Sequence, residues 1–269
     1  MMEFLSVPFL RHILIAGVLV AVGLSPLSVY VVLRRIVFSG AAVAEVASAA
    51  VALAVLFQIA PFPLALVLTV ITFLALSRLA DTTRLPPETL VGMLYAGGSA
   101  ASVLLIVKAP RGEADILNIL FGNILTVEPS VLWGMAIVFG LVFILQYIAA
   151  KEFLISAYDP DMGRTLGIKV GLWNMIFYGA LGLAVAVAIR AVGALMTFTM
   201  LVAPGASALC LTERLNRTFK IALAMGIMAS LSGVLVSYQY DLPTGSTIVA
   251  ILVGFFVISF AIGQFRKHA

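Results

Sequence analysis

Charge is scarce in this chain. Asp, Glu, Lys and Arg together make up 10% of its 269 residues, while hydrophobic residues make up 63%. A water-soluble core of that length has no room for so much apolar surface, so the expected solvent is a bilayer. A single cysteine, Cys210, excludes an internal disulfide and a cysteine-built metal site. It reads as a small packing residue near a span end. The only histidines, His12 and His268, cannot form a pair at ligand spacing within one span. A Walker A pattern, a metalloprotease motif and a nucleophile elbow are all missing. An intramembrane enzyme is therefore disfavoured, and no energy source is encoded. The net charge of +4 is scattered over short loops, which argues against a nucleic-acid partner.

Long apolar runs, by contrast, are abundant. Runs of about 17–25 residues qualify as membrane helices. Nine are expected, at 9–33, 40–59, 61–78, 88–107, 129–150, 171–189, 192–210, 219–238 and 245–264. Pro61 and Pro63 separate the second and third; Pro86 and Pro87 open the fourth, where a missing N–H costs nothing. The first run is too long for a signal-peptide core and is expected to be a retained span. No interval is long and polar enough for an appended soluble domain, so residues 1–269 are expected to form one all-α, polytopic membrane domain.

Orientation follows from the basic residues. With the C-terminus cytoplasmic, the inner loops hold Arg34, Arg35, Arg78, Arg84, Lys151, Arg164, Lys169, Arg214, Arg217, Lys220, Arg266 and Lys267. The outer side holds only Arg11, Lys108, Arg111 and Arg190. This positive-inside bias, with an odd number of spans, places the N-terminus outside. Arg190 and Asp241 then fall near the outer surface, where they are expected to pair as structural trimming. Trp133 and Trp173 lie in the first turns of their spans, as interfacial anchors do. Met196 and Met200 are read as apolar packing rather than soft-metal ligands.

Two segments between spans stand out. GEADILNILFGNILTV, residues 112–127, is apolar but interrupted by Gly122 and Asn123. It reads equally as a short re-entrant helix at the outer mouth or as an apolar surface loop. Asp115 within it either attracts cations or caps that helix. The second segment, KEFLISAYDPDMGRTLGIK, spans 151–169 on the expected cytoplasmic side. Asp159 suits an N-cap, Pro160 the first helical position, and Gly167 a helix stop. Met162 and Leu166 are four apart on one face, beside Tyr158 and charges of both signs. A helix this short needs something to pack on, either its own membrane domain or a cytoplasmic partner.

Glu45 is the most informative single residue. The run GAAVAEVASAAVALAVLF, residues 40–57, has no other charge and is long enough to cross a bilayer. A carboxylate there costs several kcal/mol unless it faces protein or water, so it marks a pathway or a partner. The plain alternative is a carboxyl that snorkels or stays protonated against a neighbouring helix.

Taken together, these residues resemble the membrane permease subunits of metal-ion ABC importers of the zinc/manganese type. The resemblance runs over nearly the whole chain: VVLRRIVFSGAAVAEVASAAVAL, DILNILFGNIL, YDPDMGRTLGIK, RAVGALMTFTMLVAPGASA and LPTGSTIV occur in the family's order. It implies a type II importer-like permease fold with a re-entrant helix and a cytoplasmic coupling helix. It further implies a two-fold pair of permeases, as second copy or sibling, with a pathway at their interface. Two ATPase subunits would sit below, and an extracytoplasmic substrate-binding protein would deliver a zinc or manganese ion from above. The setting is the plasma membrane of a bacterium or archaeon. No resident cofactor is implied. The coupling loop carries over as Tyr158, Asp159, Asp161, Met162, Arg164 and Leu166, and the pathway as Ala41, Glu45, Ser48 and Asp115. One departure matters. Where the family commonly carries Asp and His four residues apart, this chain has Ala41 and Glu45. Two facing carboxylates without imidazole would suit manganese better than zinc. A partner chain carrying the full ligand pair, or a metal-chelate cargo of cobalamin or siderophore type, are the other readings. A stand-alone secondary transporter would show internal repeats, and no convincing one is present.

Overall fold

The computed structural model describes residues 8–83, 85–107 and 129–268, and over these the chain is built from α-helices alone. They run α1 (Pro8–Leu33), α2 (Ser39–Leu56), α3 (Pro61–Thr82) and α4 (Pro87–Ile106), then α5 (Pro129–Ile148), α6 (Ala150–Tyr158) and α7 (Pro160–Thr165). After these come α8 (Val170–Val192), α9 (Ala194–Met200), α10 (Ala203–Leu211), α11 (Leu215–Tyr240) and α12 (Thr244–His268). Among the described residues nine helical runs are long and apolar enough to cross a bilayer, matching the expected number. Proline begins α3 and α4 at a position where the missing N–H is one of the orphans of a helix start.

Two elements differ from the sequence reading. The seventh span is not one helix: it breaks between α9 and α10. Pro204 cannot donate to the carbonyl of Met200, and its ring crowds that carbonyl, so the α-helical ladder stops. Val202 leaves the helical region, and its N–H turns to Thr199 instead, at 3.2 Å. The segment at 151–169 is also more ordered than a loop with one short helix. It opens with α6, nine residues that continue from α5 after a kink at Ala149. The interrupted segment 112–127, with Asp115, lies outside the described residues.

Small residues set the close crossings. Gly205 of α10 lies against Ser28, and Gly226 of α11 against Ser25, both on α1. Ser230 of α11 donates to the Gly17 carbonyl at 3.0 Å. Gly233 of α11 lies against Ile248 of α12, and Gly263 of α12 against the Cys210 carbonyl. A β-carbon at Gly263 would sit 2.7 Å from that oxygen, closer than packed atoms approach. Close approach of this kind is how helices associate where lipid is as apolar as the side chains. Met196 and Met200 are both buried in the apolar core, as packing residues.

The connections sort the molecule into two ends. One carries the α1–α2 turn, the end of α3, α6, α7 and the start of α8, and the other carries the start of α3 and the end of α8. At this second end Arg190 does not pair with Asp241. Its guanidinium lies over the Phe62 ring, 3.8 Å from the centroid, which satisfies the cation without a carboxylate. Asp241 instead terminates α11 in a left-handed conformation, φ 51°. Of the two tryptophans, Trp133 is exposed, whereas Trp173 turns inward and packs edge-on against Phe153.

Candidate functional site

Helix α2 is nearly all small and aliphatic, and most of it is buried. Glu45 and Ala41, one turn apart, are exceptions: both are only partly covered. Ser48 is buried, and its hydroxyl donates back to the Ala44 carbonyl at 2.8 Å. It is therefore occupied within its own helix and does not join Glu45. The cover over Glu45 comes from α4. Gly98 sits against the α2 backbone there, and a β-carbon on it would lie 3.0 Å from Val46 N and 3.1 Å from Glu45 Cβ. Among the described residues the Glu45 carboxylate has no hydrogen bond or ion pair. Nor do any three His, Cys, Asp or Glu side chains of the described residues converge on one point. A single chain thus offers one carboxylate beside a helix crossing, with part of its surface open. The structure places Ala41 beside it and turns Ser48 away.

The second site is α7, at the end that carries the α1–α2 turn. Asp159 caps the helix, accepting from Met162 N at 2.8 Å, and Pro160 occupies its first turn. The far end closes with two hydrogen bonds, Ile168 N to Gly163 O at 3.0 Å and Gly167 N to Arg164 O at 3.1 Å. Gly167 has φ 78°, which that closure requires. Arg164 donates to Asp161 at 2.8 Å on the exposed surface. The buried side of α7 is Gly163, against Val170 and Ile155. Tyr158, Met162 and Leu166 are 60%, 55% and 57% exposed. The apolar side chains beside and on this helix are therefore exposed rather than packed on the rest of the described residues.

A third constellation was missed in the sequence. Arg34, just beyond the end of α1, is half-buried among aromatic rings. It donates from Nη1 to Asn174 Oδ1 at 2.7 Å and from Nη2 to the Phe153 carbonyl at 3.3 Å. Its guanidinium lies 4.3 Å from the Phe177 centroid. Asn174 passes the contact on, donating from Nδ2 to Asp81 Oδ1 at 2.9 Å. Burial pulls the Arg34 guanidinium below its ordinary range, while Tyr178, Asp81 and Tyr30 hold it up. Around it Phe153 packs edge-on against Tyr30, Phe177 and Trp173, at 5.8, 5.4 and 5.9 Å between centroids. The available signal was an Asn in the first turn of an apolar span, with an Asp near the end of another.

Three comparisons bear on what this arrangement belongs to. A manganese transport system membrane protein, MntC, of Halalkalibacterium halodurans is 29% identical over 261 residues, 96% of this chain and 88% of the relative. A probable iron transport system membrane protein of Haemophilus influenzae is 29% identical over 269 residues, 99% of this chain and 98% of that protein. The solved structure of PsaBC from Streptococcus pneumoniae in complex with Fab superposes with a TM-score of 0.81 at 25% identity. That match covers 96% of this chain and 94% of the other. Residues 6–263 match the profile of the ABC 3 transport family. The match runs across the whole helical bundle, and the chain belongs to the ABC 3 transport family.

Proposed function

We propose that this chain is the permease subunit of an ABC importer for a divalent transition-metal ion, with manganese as the first candidate. The observation that carries the reading is Glu45: one carboxylate, part-open, on a small-residue membrane helix, with no partner among the described residues of its own chain. A charge so placed is stable when a second protein surface or a passing cation meets it. Two permeases facing each other across α2 and α4 would bring two such carboxylates to one axis. Oxygen donors without imidazole or thiolate favour manganese over zinc. A modest affinity suits a site that must release its ion. The name of the H. halodurans relative supports manganese, and that of the H. influenzae relative keeps iron(II) as the nearest competitor.

In this reading the α7 end is cytoplasmic, in accord with the positive-inside pattern. Its exposed Tyr158, Met162 and Leu166 dock on an ATPase subunit, which supplies the energy the chain itself lacks. Arg164 and Asp161 frame that patch. An extracytoplasmic binding protein delivers the ion at the opposite side. The compartment is the plasma membrane, with the N-terminus outside.

The test is uptake of radioactive manganese in cells lacking their other importers, with zinc and iron(II) as competitors. Manganese accumulation that depends on this chain, and disappears in Glu45→Gln while the complex still assembles, is the expected result. Full uptake by Glu45→Gln would remove that carboxylate from the pathway. Competition by zinc alone would reassign the cargo.

A further inference from the structure

Arg34 occupies a position that the transport reading above does not use. It ends α1, and the turn that follows it leads straight to the first residue of α2, Ser39. That turn is stiff. Arg34 N donates to Tyr30 O at 2.9 Å, Ile36 N to Val31 O at 3.1 Å, and Ser39 N to Ile36 O at 2.9 Å. Ile36 is fully buried, and Arg35 is held in the left-handed region at φ 57°. A shift of the Arg34 guanidinium is therefore transmitted to the foot of the helix that carries Glu45.

The other side of the guanidinium reaches the docking element. Nη2 meets the carbonyl of Phe153, in the first half of α6, and α6 continues through Asp159 into α7. Nη1 meets Asn174 at the start of α8, and Asn174 meets Asp81 near the end of α3. Among the described residues no carboxylate pairs with Arg34 directly. The amide of Asn174 stands between cation and anion, so one hydrogen-bonded chain joins four elements where a direct ion pair would join two. A half-buried cation held this way resists separation, because any partner withdrawn leaves a charged donor without its hydrogen bond away from water. The elements it binds are thus constrained to move together.

We propose that Arg34 is a positioning residue for coupling: through Asn174, Asp81 and the Phe153 carbonyl it fastens the α6–α7 docking pair to the foot of α2. Motion imposed on α7 by a cytoplasmic partner then reaches the Glu45 helix as a rigid displacement. The inference rests on the permease reading. A purely architectural staple would hold the bundle together but would not set how much transport each hydrolysed nucleotide yields.

The experiment uses the permease with its ATPase partner in proteoliposomes and reads manganese ions moved per ATP hydrolysed. Asn174→Leu removes the relay; the expected result is a fall of about tenfold in that ratio with hydrolysis retained, within the usual range of coupling between sites. The exchange Asp81→Asn with Asn174→Asp rebuilds the same chain with the acid moved one place, and is expected to restore the ratio. An unchanged ratio in Asn174→Leu, or no rescue by an exchange variant that melts normally, overturns the proposal. If Asn174→Leu fails to assemble, Arg34→Lys takes its place, keeping the charge and losing the two-pronged donation. A second readout does not depend on the cargo. Spin labels at Lys151→Cys on α6 and Phe57→Cys beyond α2, in a Cys210→Ala background, report the distance between the two elements. Broadening of that distance in Asn174→Leu, reversed by the exchange, supports the link even where no tested cation is carried; an unaltered distribution sinks it. Failure of wild-type uptake for every cation counts against the permease reading alone.

Discussion

The two halves of the journey from Arg34 to Glu45 are held by opposite means. At the foot of α2 a cation lies among aromatic rings, with an amide and a carbonyl accepting from its two terminal nitrogens, while Nε has no hydrogen-bond partner among the described residues. Less than two helical turns into α2, Glu45 has Gly98 packed against it, and its carboxylate has no hydrogen bond or ion pair among the described residues. One group is anchored within the chain, and the other is left without a polar partner among the described residues. On the permease reading, the difference separates a polar group that is architecture from one that does work. A charge that must stay put is surrounded; a charge that must meet a passing ligand is left one face short.

The comparison is broken most severely by attacking the Arg34 side. Phe153→Ala empties the centre of the aromatic cluster, which touches Tyr30, Trp173 and Phe177. It should cost about 3–5 kcal/mol, seen as a large fall in melting temperature of the detergent-purified protein. The Glu45 side should respond in the reverse manner. Glu45→Gln should lower manganese uptake about a hundredfold, equivalent to about 2.7 kcal/mol of lost barrier stabilisation, with little change in melting temperature. Both sides responding in stability alone would erase the distinction.

Smaller changes sharpen it. Gly98→Val forces a branched side chain onto the α2 backbone and should cost about 1–3 kcal/mol, lowering thermal stability and uptake together. Asp159→Ala removes the cap of α7 and should cost about 1 kcal/mol locally. Hydrogen exchange should quicken over residues 160–166 while the spans stay protected. Arg190→Gln loses only a ring contact at the far end, worth about 0.5–1 kcal/mol, and should leave uptake unchanged.

Much of this was legible in the residues. Apolar length alone located nine spans, and cap chemistry located α7 to the residue, because Asp159, Pro160 and Gly167 each do one local job. Glu45 was visible because a lone charge in a long apolar run has few explanations. What stayed hidden required knowing which loops meet. Arg34, Asp81 and Asn174 are each unremarkable in sequence, lying within a few residues of a span end, where charges and amides are common. Only the packing of α1, α3, α6 and α8 brings them together. The expected Arg190–Asp241 pair failed for the same reason: opposite charges near one surface were assumed to meet, and the nearer partner was a ring. The break after Met200 was readable from Pro204, yet continuous hydropathy across 192–210 masked it.

The glycine crossings of α1, α10, α11 and α12 carry a mechanical consequence. Backbones pressed so near one another have no slack to slide or tilt separately, since any rotation would drive a neighbouring atom into the space a hydrogen now fills. This flank behaves as a keel. Whatever rocking accompanies a transport cycle is left to the elements outside it, and the interruption after Met200, at the keel's edge, is where bending costs least.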